Sequence, residues 1–160
     1  MIRRSILFVL VGGLISLIAC TDTGLTPQDQ VADKGVRSRV EVMTSAIAAM
    51  RTLSNMMAGR EQFRPDRASE ARRDLVRATR AIPKRFRKPH NDPLSNARPE
   101  IWLYWDDFKI RAQAAEDAAK RLSTKTEGGL RRTLPQMLQA CLSCHQDYRN
   151  KPNEFVTHGS

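Results

Sequence analysis

Cysteine and aromatic residues are scarce in this 160-residue chain, which has three cysteines and only 6% aromatic side chains. Three cysteines are too few for the disulfide framework that holds many small exported domains together. Sustained alternation of polar and apolar residues is also missing, which argues against a β-sheet. With 41% apolar and 28% charged residues, the composition is that of a folded globular protein, and the length allows one domain.

One long apolar run occurs in the sequence, at residues 6–19, and it follows two arginines near the N-terminus. The run is shorter than the roughly 20 residues that a membrane-spanning helix needs. A basic start followed by a short apolar stretch is typical of a signal peptide. The run ends in Leu17-Ile-Ala-Cys20, which resembles the bacterial lipobox.

We therefore predict a lipoprotein-type signal peptide at residues 1–19, cut before Cys20, and a flexible tether at residues 20–31. A simple secreted protein and a retained membrane anchor are the alternatives. In each case the domain works outside the cytoplasmic membrane. The sequence thus predicts a periplasmic protein held to a bacterial membrane by a lipid on Cys20.

Four stretches of the remaining chain repeat apolar residues every three or four positions. They cover about residues 32–58, 65–82, 99–122 and 130–148. This spacing predicts four amphipathic helices, and the mostly short connections predict an antiparallel up-down-up-down bundle. We expect an all-α domain at residues 32–151 and a flexible tail at residues 152–160.

Proline and glycine mark the expected helix ends. Pro83 is expected to close the second helix, because proline lacks the N–H that a helix interior needs. Gly128-Gly129 predicts the turn before the fourth helix. Pro135 conflicts with a helix interior, so the fourth helix should bend there or begin near Thr133.

Two of the cysteines form the run Cys141-Leu-Ser-Cys144-His145 in the last predicted helix. On a helix this spacing puts both thiols one turn apart, where they can add to the two vinyl groups of a haem, and the adjacent imidazole can bind its iron. A dithiol redox motif would open a helix in an α/β protein, and a zinc site would need a second Cys/His pair. The run therefore predicts one covalently attached haem c.

Most c-type cytochromes carry this motif near the N-terminus, whereas here it lies in the last of four helices. With that position, the chain resembles the class II cytochromes c, the cytochrome c′ family, over about residues 33–151. The matching segments are Cys141 to Arg149, Arg98-Pro-Glu-Ile-Trp102 and, in the first helix, Glu41-Val-Met43 followed by Met50, Met57 and Gly59. The resemblance implies a four-helix bundle that carries its haem on the last helix.

The resembling family divides on the sixth ligand of its iron. One branch is five-coordinate and high-spin, and the other is low-spin and takes a methionine from the first helix. Met43 stands where the second branch has that ligand, so the resemblance implies His145 and Met43 as the axial pair. In an antiparallel bundle the start of the first helix also lies beside the end of the fourth. An ordinary core role is the alternative for Met43, and it is the expected role of Met50, about 10 Å further along the helix.

Arg149 lies one turn beyond His145, and the resemblance implies that it lies near the haem. A solvated surface arginine is the alternative. The aromatic residues Trp102, Tyr104 and Trp105 are expected in the core, against the haem.

The other histidines, His90 and His158, are expected to be exposed and not to bind iron. His90 lies in a proline-rich loop and His158 in the tail, and iron ligation by either is the alternative.

The formal charge of the chain is +10, and removal of the two signal-peptide arginines leaves +8. Between Arg60 and Arg98 there are twelve basic and five acidic residues, so nearly all of that charge is local. Because export excludes nucleic acid, this patch predicts periplasmic or membrane redox proteins with acidic docking surfaces, or an anionic membrane, as partners. A merely solvated face is the alternative. Homodimers occur in the resembling family, and the sequence does not select that state.

The expected function is single-electron transfer by a monohaem carrier that is not an enzyme. An iron that keeps two protein ligands in both oxidation states rearranges little when it gains an electron. The alternative is a five-coordinate, cytochrome c′-like protein that binds nitric oxide or carbon monoxide at an open site. A peroxidase-like enzyme would also need a distal acid–base residue, and the first helix has no histidine to supply one.

Overall fold

A computed structural model gives the fold of residues 30–150. Within this range the chain forms five helices: α1 (Lys34–Met57), α2 (Pro65–Phe86), α3 (Glu100–Leu103), α4 (Trp105–Arg121) and α5 (Glu127–Tyr148). The short α3 and the long α4 are separated only by Tyr104 and together make up one of the four helices of a four-helix bundle. In this bundle α1 packs on α2 and α5, and α4 packs on the same two helices. The all-α bundle expected from the sequence is confirmed.

Several of the sequence-based predictions concern the two ends of the chain. The signal peptide at 1–19, most of the tether at 20–31 and the tail at 152–160 lie outside the described residues. Val31, the last residue of the expected tether, is buried. Among residues 30–150, no helix combines the length and apolar character that a membrane crossing requires.

The ends of α1 follow from local capping. The Asp33 carboxylate accepts a hydrogen bond from the backbone N–H of Val36 at 2.8 Å and so caps the first turn. After the last turn, Gly59 has φ 70°, a left-handed conformation in which an L side chain is strained. The buried positions Met50, Leu53 and Met56 repeat every three residues, so α1 presents one apolar seam to the core.

The second helix runs one turn beyond its predicted end. Pro83 lies inside α2, which continues to Phe86, so the prediction that Pro83 closes this helix is wrong. Proline removes one backbone hydrogen bond, but Ile82 and Phe86 on either side of it are buried. The carbonyl of Phe86 also accepts the indole N–H of Trp102 at 2.8 Å. Packing of the last turn outweighs the lost bond.

The third predicted helix is divided at Tyr104. The backbone there has φ −113° and ψ 47°, outside the helical region, and α4 starts at the next residue. The helix ends at Arg121 because Leu122 is extended, with φ −57° and ψ 125°. Leu122 itself is buried, so the apolar pattern continues one residue past the helix.

The fourth predicted helix, α5, begins at Glu127 and includes both Gly128-Gly129 and Pro135. The predictions of a turn at the glycine pair and of a start near Thr133 are therefore wrong. The Thr126 side chain accepts the Gly129 N–H at 3.1 Å and caps the helix. A Cβ atom at Gly129 would lie 2.4 Å from the Ser123 hydroxyl oxygen, so glycine is needed here for close packing and not for a turn.

Two clusters of buried side chains form the core. The larger cluster fills the bundle around Leu53, Leu75, Leu134 and Met137. The smaller one, here called the aromatic cluster, lies at the end of the bundle where α5 ends and contains Val42, Ala78, Ile82, Phe86, Ile101, Phe108, Ala112 and Tyr148. Phe108 is its centre, with ring centroids of Phe86 and Tyr148 at 5.4 and 5.3 Å.

Residues 87–99 form the connecting loop between α2 and α3. One carboxylate oxygen of Asp92 accepts the backbone N–H groups of Ala32 and Asp33, both at 3.0 Å. At its other end, Asn96 accepts the N–H of Asn150 at 2.9 Å, and Arg98 donates to the carbonyl of Tyr148 at 3.1 Å. The loop therefore contacts both the start of α1 and the end of α5.

Candidate haem site

The Cys-x-x-Cys-His run lies in the last two turns of α5. The side chains of Cys141, Cys144 and His145 are half-buried, and all three line one cavity of about 270 Å³. Both thiols are free. Helix α5 therefore presents two thiols and one imidazole to the same cavity.

The opposite wall of this cavity comes from α1, with further contributions from α2, α4 and the connecting loop. Met43 and Met50 both line it. Met43 and Cys144 both pack against the aromatic cluster, which includes Tyr148. Met50 instead belongs to the larger cluster, as does Met137. Met43 is thus the methionine of α1 at the level of the last turn of α5.

Burial controls the protonation of the three α5 groups. It raises the pKa of Cys141 to about 11 and that of Cys144 to about 12, and it lowers the pKa of His145 to about 4. Protonated thiols are poor nucleophiles toward disulfides, which argues against a dithiol redox site. A neutral imidazole has the free lone pair that a metal ion needs.

Arg149 follows the last turn of α5 and also lines the cavity. Its backbone N–H donates to the carbonyl of His145 at 3.1 Å, and a single β-bridge pairs it with Ala97. The structure therefore brings together Met43, Cys141, Cys144, His145 and Arg149, the five residues that the sequence singled out.

Comparison with known proteins identifies the fold family. Residues 34–149 match the family model described as Cytochrome C′. This chain belongs to the cytochrome c′ family. Proteins of this family are periplasmic and carry a covalently attached haem c, so the predicted cofactor is confirmed at the level of the family.

Two curated cytochromes are similar in sequence. Cytochrome c-556 of Agrobacterium tumefaciens (strain II Chrys) is 28% identical over 119 residues, which cover 72% of this chain and 97% of that protein. Cytochrome c′ of Alcaligenes xylosoxydans xylosoxydans is 37% identical over 60 residues, which cover 35% of this chain and 47% of the relative.

Solved cytochrome c′ structures share the fold. The protein from Rhodobacter spheriodes superposes with a TM-score of 0.68 at 22% identity, covering 74% of this chain and 96% of its own. A nitric oxide complex of a cytochrome c prime variant from Alcaligenes xylosoxidans gives a TM-score of 0.65 at 23% identity, with coverages of 73% and 94%. At this identity the likeness establishes the fold.

The charges of the cavity fit a haem of the cytochrome c′ type. Three arginines line the cavity, Arg39, Arg111 and Arg149, and no carboxylate of the described residues does. Haem carries two anionic propionates, which such a set of cations would balance. The Nδ1 atom of His145 is buried without a hydrogen-bond partner, and no residue within 30–150 bonds to the other ring nitrogen. Cys141 and Cys144 would hold the haem, and His145 would bind its iron.

Arg39 is the most buried of the three arginines, with 3% of its surface exposed. Its guanidinium donates to the carbonyls of Lys88, Arg85 and His90 at 2.5, 3.4 and 3.4 Å. It also lies over the rings of Phe86 and Trp102, at 5.3 and 4.9 Å. No carboxylate among the described residues pairs with it, so its charge remains available to an anionic group.

Arg111 has different partners. Its Nε atom pairs with Asp107 at 2.7 Å and its Nη1 atom with Asp147 at 2.7 Å. Nη1 also donates to the carbonyl of Ser143 at 2.6 Å. The hydroxyl of Tyr148 donates to the same Asp107 carboxylate at 2.5 Å. Burial and this bond together raise the pKa of Tyr148 to about 12, so its phenol is neutral.

The aromatic residues expected at the haem have separate positions. Trp102 and Trp105 are half-buried beside the aromatic cluster, and Trp105 stacks on Phe108 with ring centroids 5.6 Å apart. Tyr104 is 57% exposed, so its predicted core position is wrong. The backbone break at Tyr104 turns this residue away from the seam that a continuous helix would have continued.

The position of His90 differs from the exposed one that the sequence suggested. This residue is half-buried, and its Nδ1 atom lies 3.1 Å from the Asp33 carboxylate. It does not line the cavity. The second histidine in question, His158, lies outside the described residues.

Sequence analysis missed Arg39, Phe86 and Arg111 as residues of the site. For Arg39 a signal exists, because position 39 lies between the seam residues Val36 and Met43, and a charged residue there needs a buried partner. Phe86 follows Pro83, and the predicted helix end concealed it. Nothing in the spacing of Arg111 distinguishes it from the exposed basic residues of the chain.

Proposed function

We propose that this cytochrome c′ family member is a single-electron carrier with His145 and Met43 as the axial ligands of its haem iron. The observation that carries the proposal is that both side chains line the same cavity, at the same end of the bundle. A bound haem supplies an iron that alternates between the ferrous and ferric states. The protein would hold that iron between an imidazole and a thioether.

If the proposal holds, the chain belongs to the low-spin, methionine-ligated branch of the family. A thioether ligand favours the ferrous state and raises the reduction potential. With both axial positions filled by protein, the site has no acid–base group and no open position for substrate chemistry. We therefore propose an electron carrier and not an enzyme.

Binding of nitric oxide or carbon monoxide is the second candidate function. Its support is that similar structures from Alcaligenes xylosoxidans were solved with bound nitric oxide, and that a cytochrome c′ is the relative with 37% local identity. The comparisons favour this candidate over electron transfer. Met43 is the residue of this chain that favours the carrier.

The optical spectrum of the holoprotein separates the two candidates. The carrier is expected to be low-spin, with the weak charge-transfer band of iron–thioether ligation in the ferric state. In Met43→Leu, which keeps the volume but removes the sulfur, that band should vanish and the ferrous protein should bind carbon monoxide rapidly. Met50→Leu is the matched control on the same helix and should leave the spectrum unchanged.

A high-spin ferric spectrum of the wild-type protein, with rapid carbon monoxide binding after reduction, would reject the carrier and support the second candidate. Loss of the band in Met50→Leu but not in Met43→Leu would show that Met50 and not Met43 is the axial ligand. That result would reject the ligand assignment but not the electron-carrier function.

The location and partners remain proposals as well. We propose a periplasmic protein anchored by a lipid on Cys20, and mass spectrometry of the mature N-terminus tests that modification. Periplasmic or membrane redox proteins with acidic surfaces are the proposed partners, because the basic residues at the end of α2 are exposed and no carboxylate among residues 30–150 pairs with them. Self-association to a homodimer can be measured by sedimentation.

A further inference from the structure

Arg111 connects α4 to the segment of α5 that carries the haem ligands. Its side chain is 29% exposed and reaches a carboxylate on its own helix, Asp107, and another on α5, Asp147. Its third partner is the carbonyl of Ser143. Ser143 lies between Cys141 and Cys144, so the bond holds the backbone of the haem-binding run itself.

The three arginines of the cavity divide by their partners. Within residues 30–150, neither Arg39 nor Arg149 pairs with a carboxylate, so no neighbouring anion neutralises either charge. Arg111 is already paired with two carboxylates at 2.7 Å. Its guanidinium therefore joins α4 to α5, and the two carboxylates offset most of the charge that it could offer to the propionates.

We propose that Arg111 is a positioning residue for His145, which together with Asp107 and Asp147 fixes the haem-bearing turn of α5 and sets the reduction potential through its charge. The residue that follows Ser143 is Cys144, and the next is His145, so a shift of this carbonyl moves both. Outer-shell hydrogen bonds of this kind orient metal ligands and tune the metal. The inference rests on the haem assignment but not on Met43.

The sign of the charge effect follows from electrostatics. A cation beside the haem favours the ferrous state, which carries one positive charge fewer, and a carboxylate favours the ferric state. The cluster contains one cation and two carboxylates. Removal of Arg111 and removal of Asp147 must therefore move the reduction midpoint in opposite directions.

The test is redox titration of the holoprotein at fixed pH and ionic strength. Arg111→Gln is expected to shift the midpoint down, and Asp147→Asn is expected to shift it up. Arg111→Lys keeps the charge, so its midpoint should stay near that of the wild type. A lysine cannot bridge all three acceptors, however. The ferric spectrum of this variant should change, because the turn is no longer held. Arg121→Gln removes the same charge from α4 roughly 15 Å further along the helix and should have no effect.

A role limited to structure predicts a different result. Both Arg111→Gln and Asp147→Asn would then lower the thermal unfolding midpoint, while the reduction midpoint would stay constant or move the same way in both. Either of those redox results would overturn the proposal. If Arg111→Gln fails to retain haem, the upward shift in Asp147→Asn remains the deciding measurement. The midpoint can be measured in a five-coordinate protein too, so failure of Met43 ligation leaves this test intact.

Discussion

The guanidinium of Arg39 lies 4.9 Å from the centre of the Trp102 ring. Trp102 donates its indole N–H to the carbonyl of Phe86, and Arg39 donates to carbonyls of residues on either side of that phenylalanine. The last carbonyls of a helix have no hydrogen-bond partners within the helix. Arg39 and Trp102 both donate hydrogen bonds to carbonyls at the end of α2. Arg39 joins this helix end to α1.

Substitution of Arg39 by glutamine is expected to destabilise the protein. It would remove charge-assisted hydrogen bonds from a buried guanidinium to three carbonyls, which together should lower the free energy of unfolding by roughly 2–3 kcal/mol. Urea unfolding of the holoprotein measures the change. Arg51→Gln, at an exposed site on the same helix, is the control and should be neutral; equal effects of the two substitutions would show that the buried contacts contribute nothing.

Gly35→Ala tests the contact between the first turn of α1 and the connecting loop. An added Cβ would lie 2.4 Å from the ring of His90, and the overpacking should destabilise the wild-type protein by about 1 kcal/mol. In a His90→Ala background the clash is gone, and alanine should stabilise the helix by up to about 1 kcal/mol relative to glycine. A double-mutant cycle by urea unfolding measures this reversal of sign. Additive effects would contradict the contact.

The pH dependence of stability tests Asp92. Hydrogen bonds from the N–H groups of Asp33, Leu94 and Ala32 hold the pKa of this carboxyl below its usual 3.8. A lowered folded-state pKa means that the stabilisation is complete well above pH 3.8 and is lost as the pH falls through the folded value. Asp92→Asn should therefore destabilise the protein at neutral pH, and its difference from wild type should shrink in acid.

Urea unfolding between neutral pH and acid measures that difference. Glu41→Gln, on an exposed residue without an ion pair among the described residues, is the control. A difference between Asp92→Asn and wild type that stays constant down to acid pH would refute the role of the carboxylate.

Lys84, Arg85, Arg87 and Lys88 form a basic cluster at the end of α2. All four are exposed, and no carboxylate within residues 30–150 pairs with them. If the cluster steers acidic partners, oxidation of the reduced protein by the anion hexacyanoferrate(III) should slow as ionic strength rises. Replacement of all four by glutamine should slow the reaction several-fold at low salt.

Stopped-flow measurement with a cationic oxidant, hexaammineruthenium(III), is the control. Its rate should rise with ionic strength and rise again in the glutamine variant. A rate with hexacyanoferrate(III) that is independent of salt would mean that the cluster is simply a solvated face.

Periodicity predicted the four helical stretches of the bundle and their apolar faces, although not the division of the third at Tyr104, because burial of one face decides where an amphipathic helix forms. Helix ends were predicted less well. Pro83 was expected to end a helix, and Pro135 to bend one or to follow its start near Thr133. Each proline costs one hydrogen bond, but the nearby residues Phe86 and Leu134 are buried in the core. Such packing depends on residues far away in the sequence.

The Cys141–His145 run was sufficient to predict the haem-binding helix, because its chemistry depends on local spacing alone. The other wall of the cavity required the tertiary structure. Arg39 satisfies carbonyls about 50 positions away, and Arg111 reaches Ser143 across the interface between two helices. Neither pair of residues is close in the sequence, so neither contact could be predicted from the spacing of residues.

The connecting loop is fastened to the start of α1 by Asp92 and to the end of α5 by Asn96. Those helices carry Met43 and His145. The loop therefore acts as a spacer between the helices of the two residues proposed as axial ligands, although it supplies neither of them. A residue inserted between Asp92 and Asn96 would move Met43 relative to His145 while every helix stayed intact. If Met43 ligates the iron as proposed, loop length would then set whether that axial position is filled by the protein or open to a gas.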